Sequence, residues 1–254
     1  MTASAAEGPL AQLLPKDWTP LTKEQLEQLS TIDSPSIANA IETFKVIPRV
    51  QGYVGTGVRN LAKGKGKAMV AYAVTVRGDS TSEYKTERQH PRLYAAIHSM
   101  HQAGGPENPL PVAVVIDDDG DPSRLDWASH VGEIMATTFR RCGAVGIITD
   151  GGVRDIDEIR EMGDLWYFAR GLVVAHGRPT IYDIGVPANI NGMYVRTGDL
   201  IHADENGVIV IPREIADKIY QATVDFKAME DEMLKQIKSP DFFKQFEELS
   251  TYKG

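Results

Sequence analysis

Two apolar runs, each breaking into a polar loop and separated by one helix-length segment, restrict this chain more than any other feature. The first is Val112-Ala113-Val114-Val115-Ile116, which breaks into Asp117-Asp118-Asp119-Gly120-Asp121. The second is Ala144-Val145-Gly146-Ile147-Ile148-Thr149, which breaks into Asp150-Gly151-Gly152-Val153-Arg154-Asp155. A helix-like segment beginning near Val131-Gly132-Glu133 lies between them. Continuous apolar runs of this length suit strands buried on both faces, and a helical crossover between two such strands makes them parallel. In open parallel sheets, ligands sit outside the carboxyl ends of the strands. The chemistry-bearing residues at those ends are Glu133, Arg154 and Asp155.

The rest of the chain is consistent with an α/β protein. Thr22 with Gln25 three residues later makes a capping-box signature for a helix through Leu29. Asp33-Ser34-Pro35 predicts a capped second helix, with Ile37, Ala40, Ile41 and Phe44 on its apolar face. Residues 69–76 read as a strand, 78–91 as a long polar loop, and 94–100 as a helix stopped by Gly104-Gly105-Pro106. Residues 156–162 read as a helix stopped by Gly163, and 165–169 as a strand. Asn191-Gly192 and Asp204-Glu205-Asn206-Gly207 predict hairpins, so the segment 180–212 is expected to be antiparallel. The last forty residues are charged and helix-prone, with a ragged apolar stripe. The expected organisation is an arm (1–20), an α/β core (21–212) and a helical tail (213–254).

Composition excludes several classes of function. A net charge of −8 argues against nucleic acid as a partner, because phosphate contacts need a basic face. The single cysteine, Cys142, permits no internal disulfide and fits a reducing compartment. No apolar run approaches a membrane span, and residues 1–9 lack the basic and apolar regions of a secretory signal, so a cytoplasmic location is expected. Gly55-Thr56-Gly57 and Gly64-Lys65-Gly66-Lys67 lack the spacing of nucleotide-binding loops and read as turns. His98 and His101 could share a helix face but have no third ligand nearby, and Cys142 reads as a packing residue.

Each candidate residue has both a chemical and a structural reading. The amides at a helix N-terminus bind carboxylates, and Gly132 removes a side chain that would crowd one. Arg154 offers a planar cationic fork, and Asp155 an oxygen ligand for a hard cation. On the structural side, Asp155 with Glu158 fits a helix cap, Glu133 suits a first helical turn, and Arg154 is a surface cation. Spacing alone favours the structural reading for each residue taken singly.

Taken jointly, the motifs resemble those of the RraA-like family, which includes class II pyruvate aldolases acting on 4-hydroxy-4-methyl-2-oxoglutarate and 4-carboxy-4-hydroxy-2-oxoadipate. Glu133, twenty residues, then Arg154-Asp155 resembles the family's acid-x20-Arg-Asp signature. Ala73-Val74-Thr75-Val76-Arg77, Arg170-Gly171, His176-Gly177-Arg178, Gly185-Val186-Pro187 and the segment 198–212 extend the resemblance over roughly residues 30 to 212. It implies a swivelling α/β/β/α-type sandwich, assembled as a homotrimer or homohexamer. It implies Mg2+ or Mn2+ at Asp155, substrate binding by Arg154, and capture of a 2-oxo acid carboxylate by the backbone of Gly132, Glu133, Ile134 and Met135. Glu133 would move protons, with Arg154 as its catalytic partner. The implied activity is retro-aldol cleavage through a pyruvate-type enolate, with oxaloacetate decarboxylation through the same intermediate. The alternative is a non-catalytic regulator, since some members bind an RNA-degrading enzyme. The chain departs from the family pattern at Glu133, where Asp is more frequent in the aldolases, and at Asn39, where Asp is common.

Overall fold

The computed structural model describes residues 13–81 and 89–244. Two short helices open it, α1 (Lys23–Ser30) and α2 (Ser34–Phe44). Both halves of the expected capping box form at α1. Thr22 Oγ1 accepts from the Gln25 amide at 3.3 Å, and the Thr22 amide donates to Gln25 Oε1 at 2.9 Å. Asp33 caps α2 by accepting from the Ser36 amide, with Pro35 in the first turn, where a missing N–H costs nothing.

A run of strands and helices follows: β1 (Arg59–Ala62), β2 (Met69–Asp79), α3 (His90–Gln102), β3 (Val112–Asp118), β4 (Ser129–Val131), α4 (Glu133–Arg141) and β5 (Ala144–Thr149). Next come β6 (Gly152–Val153), α5 (Ile156–Glu161), β7 (Trp166–Ala169), β8 (Thr180–Ile184), β9 (Ala188–Ile190) and β10 (Met193–Val195). The last elements are β11 (Leu200–Asp204), β12 (Gly207–Ile211) and α6 (Ile219–Ile237). The main sheet runs β1-β7-β5-β3-β2-β11-β12, with β8 also on β2. Its centre, β2-β3-β5-β7, is parallel, as the two apolar runs predict.

These four parallel strands progress in one direction across the sheet. Right-handed crossovers then place α3, α4 and α5 on the same face. The side-chain alternation records this. Val70, Tyr72, Val74 and Val76 of β2, with Val112, Val114 and Ile116 of β3, join the core beneath the helices. Ala71, Ala73, Ala113, Val115, Trp166 and Phe168 face the other way, onto the β9–β10 hairpin. The result is a curled sheet with a helical layer over one face and a small antiparallel layer over the other. The Asn191-Gly192 turn joins β9 to β10 and the turn at 205–206 joins β11 to β12, as expected.

Two readings need correction. The polar stretch at 78–91 is not all loop. β2 continues to Asp79 because its second half pairs with β8 after its first half has paired with β11, and α3 already begins at His90. Residues 82–88 of that stretch lie outside the described residues, as do 1–12 of the arm and 245–254 of the tail. Val131 belongs to β4 rather than to a helix, and α4 starts two residues later. Within the tail, α6 packs on α2. Asn39 Nδ2 donates to Glu230 Oε1 at 3.2 Å, and Lys227 Nζ reaches both Asp33 Oδ2 and Ser36 Oγ.

The carboxyl ends of β3 and β5 carry buried acids. The Asp118 amide donates to Asp150 Oδ1 at 2.9 Å. Burial, with Asp117 and Asp118 close by, pushes the Asp150 carboxyl up to about 6, even though it accepts that amide. The Asp118 carboxyl moves the other way. Burial opposes its charge, but His130 and Ser80 outweigh this and hold it below its usual range.

A raised folded-state value means that Asp150 stabilises the fold while protonated. That contribution is full at pH below the ordinary carboxylate value and is lost as pH climbs through about 6. Asp150→Asn keeps the acceptor oxygen and removes the titration. The variant is expected to gain stability over the native chain between about pH 5 and about pH 8, by roughly 1.4 kcal/mol. Urea unfolding at the two pH values measures the difference. An equal gap at both would exclude Asp150 as the titrating group.

Candidate active site

The site is assembled by a second, very short parallel sheet. β4 pairs with β6, Ser129 opposite Gly152 and Val131 opposite Val153. Residues 171–175 add a third edge. The Val153 amide donates to the Gly171 carbonyl, the Val173 amide to the Val153 carbonyl, and the Ser129 amide to the Ala175 carbonyl, at 2.9, 2.9 and 3.1 Å. Val131 and Val153 are fully buried and fix this patch to the core. The parallel register means that both strands end at the same level. Gly132 and Glu133 therefore leave β4 beside Arg154 and Asp155 leaving β6, although twenty residues separate the two pairs in sequence.

At that level the side chains converge. The Glu133 amide donates to Asp155 Oδ2 at 3.1 Å, and Arg154 Nε stands 3.5 Å from the same oxygen. A Cβ on Gly132 would lie 2.3 Å from Asp155 Oδ2 and 3.1 Å from Arg154 Nε. Gly132 is required at this point, and the atoms it makes room for belong to the chain's own Arg-Asp pair. Both side chains of the pair are about one-third exposed, so they are anchored and yet open to solvent. Glu133, the first residue of α4, is exposed, as is Ile134 beside it.

The helix-cap reading of Asp155 fails. Asp155 does stand at the N-cap of α5, but its side chain makes no capping bond and its backbone is left-handed, with φ 57° and ψ 41°. A non-glycine residue adopts this conformation at an energetic cost, which Asp bears better than most. The carboxylate turns away from α5 and back to α4, the reverse of what a cap requires. It also occupies the Glu133 amide. Of the four backbone positions expected to cradle a carboxylate, this leaves Ile134 and Met135 as the first-turn amides still without an assigned acceptor.

Sequence reasoning missed one group nearby, His130, and gave Arg170 no role beyond its place in the family resemblance. His130, a residue of β4, is buried with Asp118 and Ser80 under the 150–155 loop. The run of acids at 117–119 showed only that a strand was ending. A buried contact between His130 and Asp118 depends on β4, which is too short to leave a periodicity. Arg170 and Gly171 line a cleft of about 280 Å3 together with Gly152, Asp126 and Leu172. Arg170 Nε is buried there with no hydrogen-bond partner among the described residues, while its Nη1 stands 4.0 Å from Asp126 Oδ1. His98 and His101 do not combine, since His98 is exposed and His101 Nδ1 is 2.7 Å from the Leu110 carbonyl oxygen. Among the described residues no group of three or more His, Cys, Asp or Glu could hold a metal ion. Among the same residues no helix is long and apolar enough to cross a membrane.

Comparison with known proteins agrees with this architecture. Protein DlpA of Legionella pneumophila is 24% identical over 250 residues, which cover 94% of this chain and 37% of that protein. A protein of Halalkalibacterium halodurans with the provisional name 4-hydroxy-4-methyl-2-oxoglutarate aldolase is 30% identical over 128 residues, 50% of this chain and 56% of its own length. The chain thus spans well under two thirds of either relative. Among solved structures, Streptomyces coelicolor RraAS2, described as an unusual member of the RNase ES inhibitor RraA family, has the same fold. Its TM-score is 0.63 at 21% identity, over 84% of this chain and 97% of that one. A family model described as RraA-like, Aldolase/RraA, matches residues 35–210. That segment includes every strand of the parallel sheet and both halves of the site, and the chain belongs to the RraA-like family.

Proposed function

We propose that this chain is a divalent-metal-dependent lyase that cleaves a carbon–carbon bond of a 2-oxo acid, releasing a pyruvate-type enolate. One observation carries the reading. An arginine, a carboxylate and a helix N-terminus converge within 3.5 Å on a partly exposed patch, and the carboxylate is held out of the capping role that would otherwise explain it. The provisional aldolase name of the Halalkalibacterium relative supports the same chemistry.

The residues fit a cation that keeps most of its water. Asp155 offers a fixed carboxylate whose Oδ1 is engaged by none of the described residues, and magnesium takes only about one or two protein carboxylates. When bound, Mg2+ or Mn2+ supplies Lewis acidity toward the keto and carboxylate oxygens of a 2-oxo acid. The chain's own groups do the rest. The Ile134 and Met135 amides, at the positive end of α4, receive the substrate carboxylate. Arg154 places its fork against the substrate oxygen that gains charge. Glu133 takes the proton of the substrate hydroxyl, the carbon–carbon bond electrons pass to the pyruvyl fragment, and a proton returned to its methylene carbon completes pyruvate. Loss of CO2 from oxaloacetate yields the same enolate without the hydroxyl step.

Ile134 and Val174 are 85% and 94% exposed beside this patch. Apolar side chains so exposed next to a reaction site suit coverage by another subunit, as in a homotrimer or homohexamer. Without turnover the protein would instead be a binding partner of an RNA-degrading enzyme. The deciding measurement is pyruvate release from a panel of 2-oxo acids with Mg2+ or Mn2+.

Asp155→Ala is expected to abolish metal-dependent turnover and saturable Mn2+ binding while retaining a cooperative melt. A lowered melting temperature with Mn2+ affinity unchanged would restore a structural role. Arg154→Lys keeps the charge but loses the fork, and turnover should fall by about 10²–10³ with near-normal Mn2+ affinity. Glu133→Gln should impair retro-aldol cleavage far more than oxaloacetate decarboxylation, both assayed at saturating metal. Equal losses would make Glu133 a positioning group instead of a base.

A further inference from the structure

His130 occupies a slot that two glycines keep open. A Cβ on Gly78 would lie 2.9 Å from His130 Cε1, and one on Gly151 would lie 3.5 Å from His130 Cδ2 and 3.1 Å from Asp118 Oδ2. The imidazole is thus held between the end of β2 and the start of the 150–155 loop, with none of its side chain exposed. Its Nε2 stands 2.9 Å from Asp118 Oδ2, an ion-pair distance, although the approach is off the line of a hydrogen bond. Its Nδ1 is buried without a partner among the described residues.

Asp118 is the hub of this arrangement. Its carboxylate accepts from the Ser80 hydroxyl at 2.5 Å, the Ser80 amide at 3.2 Å and the Gly120 amide at 3.1 Å. Its own amide holds Asp150 Oδ1 at 2.9 Å. One residue therefore binds the end of β2, the strand β4 and the first residue of the 150–155 loop. His130 lies two residues before Gly132, and Asp150 four residues before Arg154. The two halves of the candidate site grow from the two segments that Asp118 joins.

We propose that Asp118, acting through His130 and Asp150, is a positioning residue that sets β4 and the 150–155 loop at the common level where Glu133 meets Asp155. It touches neither substrate nor cation. A polar cluster this buried is costly unless its members satisfy one another, and the Ser80 hydroxyl, the Ser80 amide and the Gly120 amide satisfy the Asp118 carboxylate. The proposal rests on the functional reading above only in the consequence it assigns to that geometry.

The test is amide hydrogen exchange by mass spectrometry on the full chain, following segments 130–135 and 150–155. Asp118→Ala is compared with Val115→Ala, a buried position on the same strand that faces the opposite core. Exchange in segment 130–135, which the Asp118 carboxylate holds through His130, is expected to rise about tenfold more in Asp118→Ala than in Val115→Ala at matched global stability. That is the scale of losing one hydrogen bond to a charged group. Segment 150–155, held by the Asp118 backbone amide that the substitution leaves in place, should change less. Asp118→Asn, which retains the acceptor oxygen and shape, should recover most of the protection, and Mn2+ affinity should follow the same order. If Asp118→Ala does not fold, His130→Asn takes its place with the same expected acceleration. Acceleration no greater than in Val115→Ala would overturn the proposal. If the native chain bound no Mn2+, the lyase reading would fall, while the exchange result would still decide this one.

Discussion

The site depends on the parallel pairing of β4 with β6, which is only two or three residues long. Because the strands run the same way and end together, residues 132–133 and 154–155 meet without any long side chain having to reach. An antiparallel pairing would send the two pairs to opposite ends. So short a ladder cannot hold itself in water, and its stability comes from outside. Val131 and Val153 are sunk in the main core, the 171–175 segment completes the hydrogen bonding, and the Tyr167 hydroxyl reaches the Val131 carbonyl.

The same strand ends collect charge that the core has no use for. Asp117, Asp118 and Asp150 crowd the carboxyl edge of β3 and β5, and their environments drive them apart. Asp150 is pushed toward the protonated form, while Asp118 is held charged by its partners. Burial of this kind spends stability where an apolar residue would have added it. Proteins tolerate such expense where the geometry of a neighbouring loop matters, and here the neighbouring loop carries Arg154 and Asp155.

The large-scale architecture was legible because it is written in long patterns. The two apolar runs, the capping box at Thr22 and the Asn-Gly turn each announce a local structure that the tertiary fold leaves in place. β4 and β6 left no such trace, being shorter than any period a sequence can display. The extension of β2 was hidden because Gly78 and Asp79 look like a loop until β8 pairs with them. The residues Glu133, Arg154 and Asp155 could be picked out by type and spacing. What could not be read was the direction of the Asp155 carboxylate, since a helix-capping aspartate and one turned back toward a neighbouring helix have the same sequence. Gly132 was noticed for a related reason, but as space for a ligand when the space is filled by the chain itself.

The left-handed backbone at Asp155 has an evolutionary consequence. At such a position the conformational preference of the chain favours glycine, with asparagine next, so selection for folding alone pulls away from aspartate. Aspartate tolerates this conformation better than most residues but less well than glycine. On the lyase reading proposed above, relatives without that chemistry should tolerate glycine or asparagine at this position.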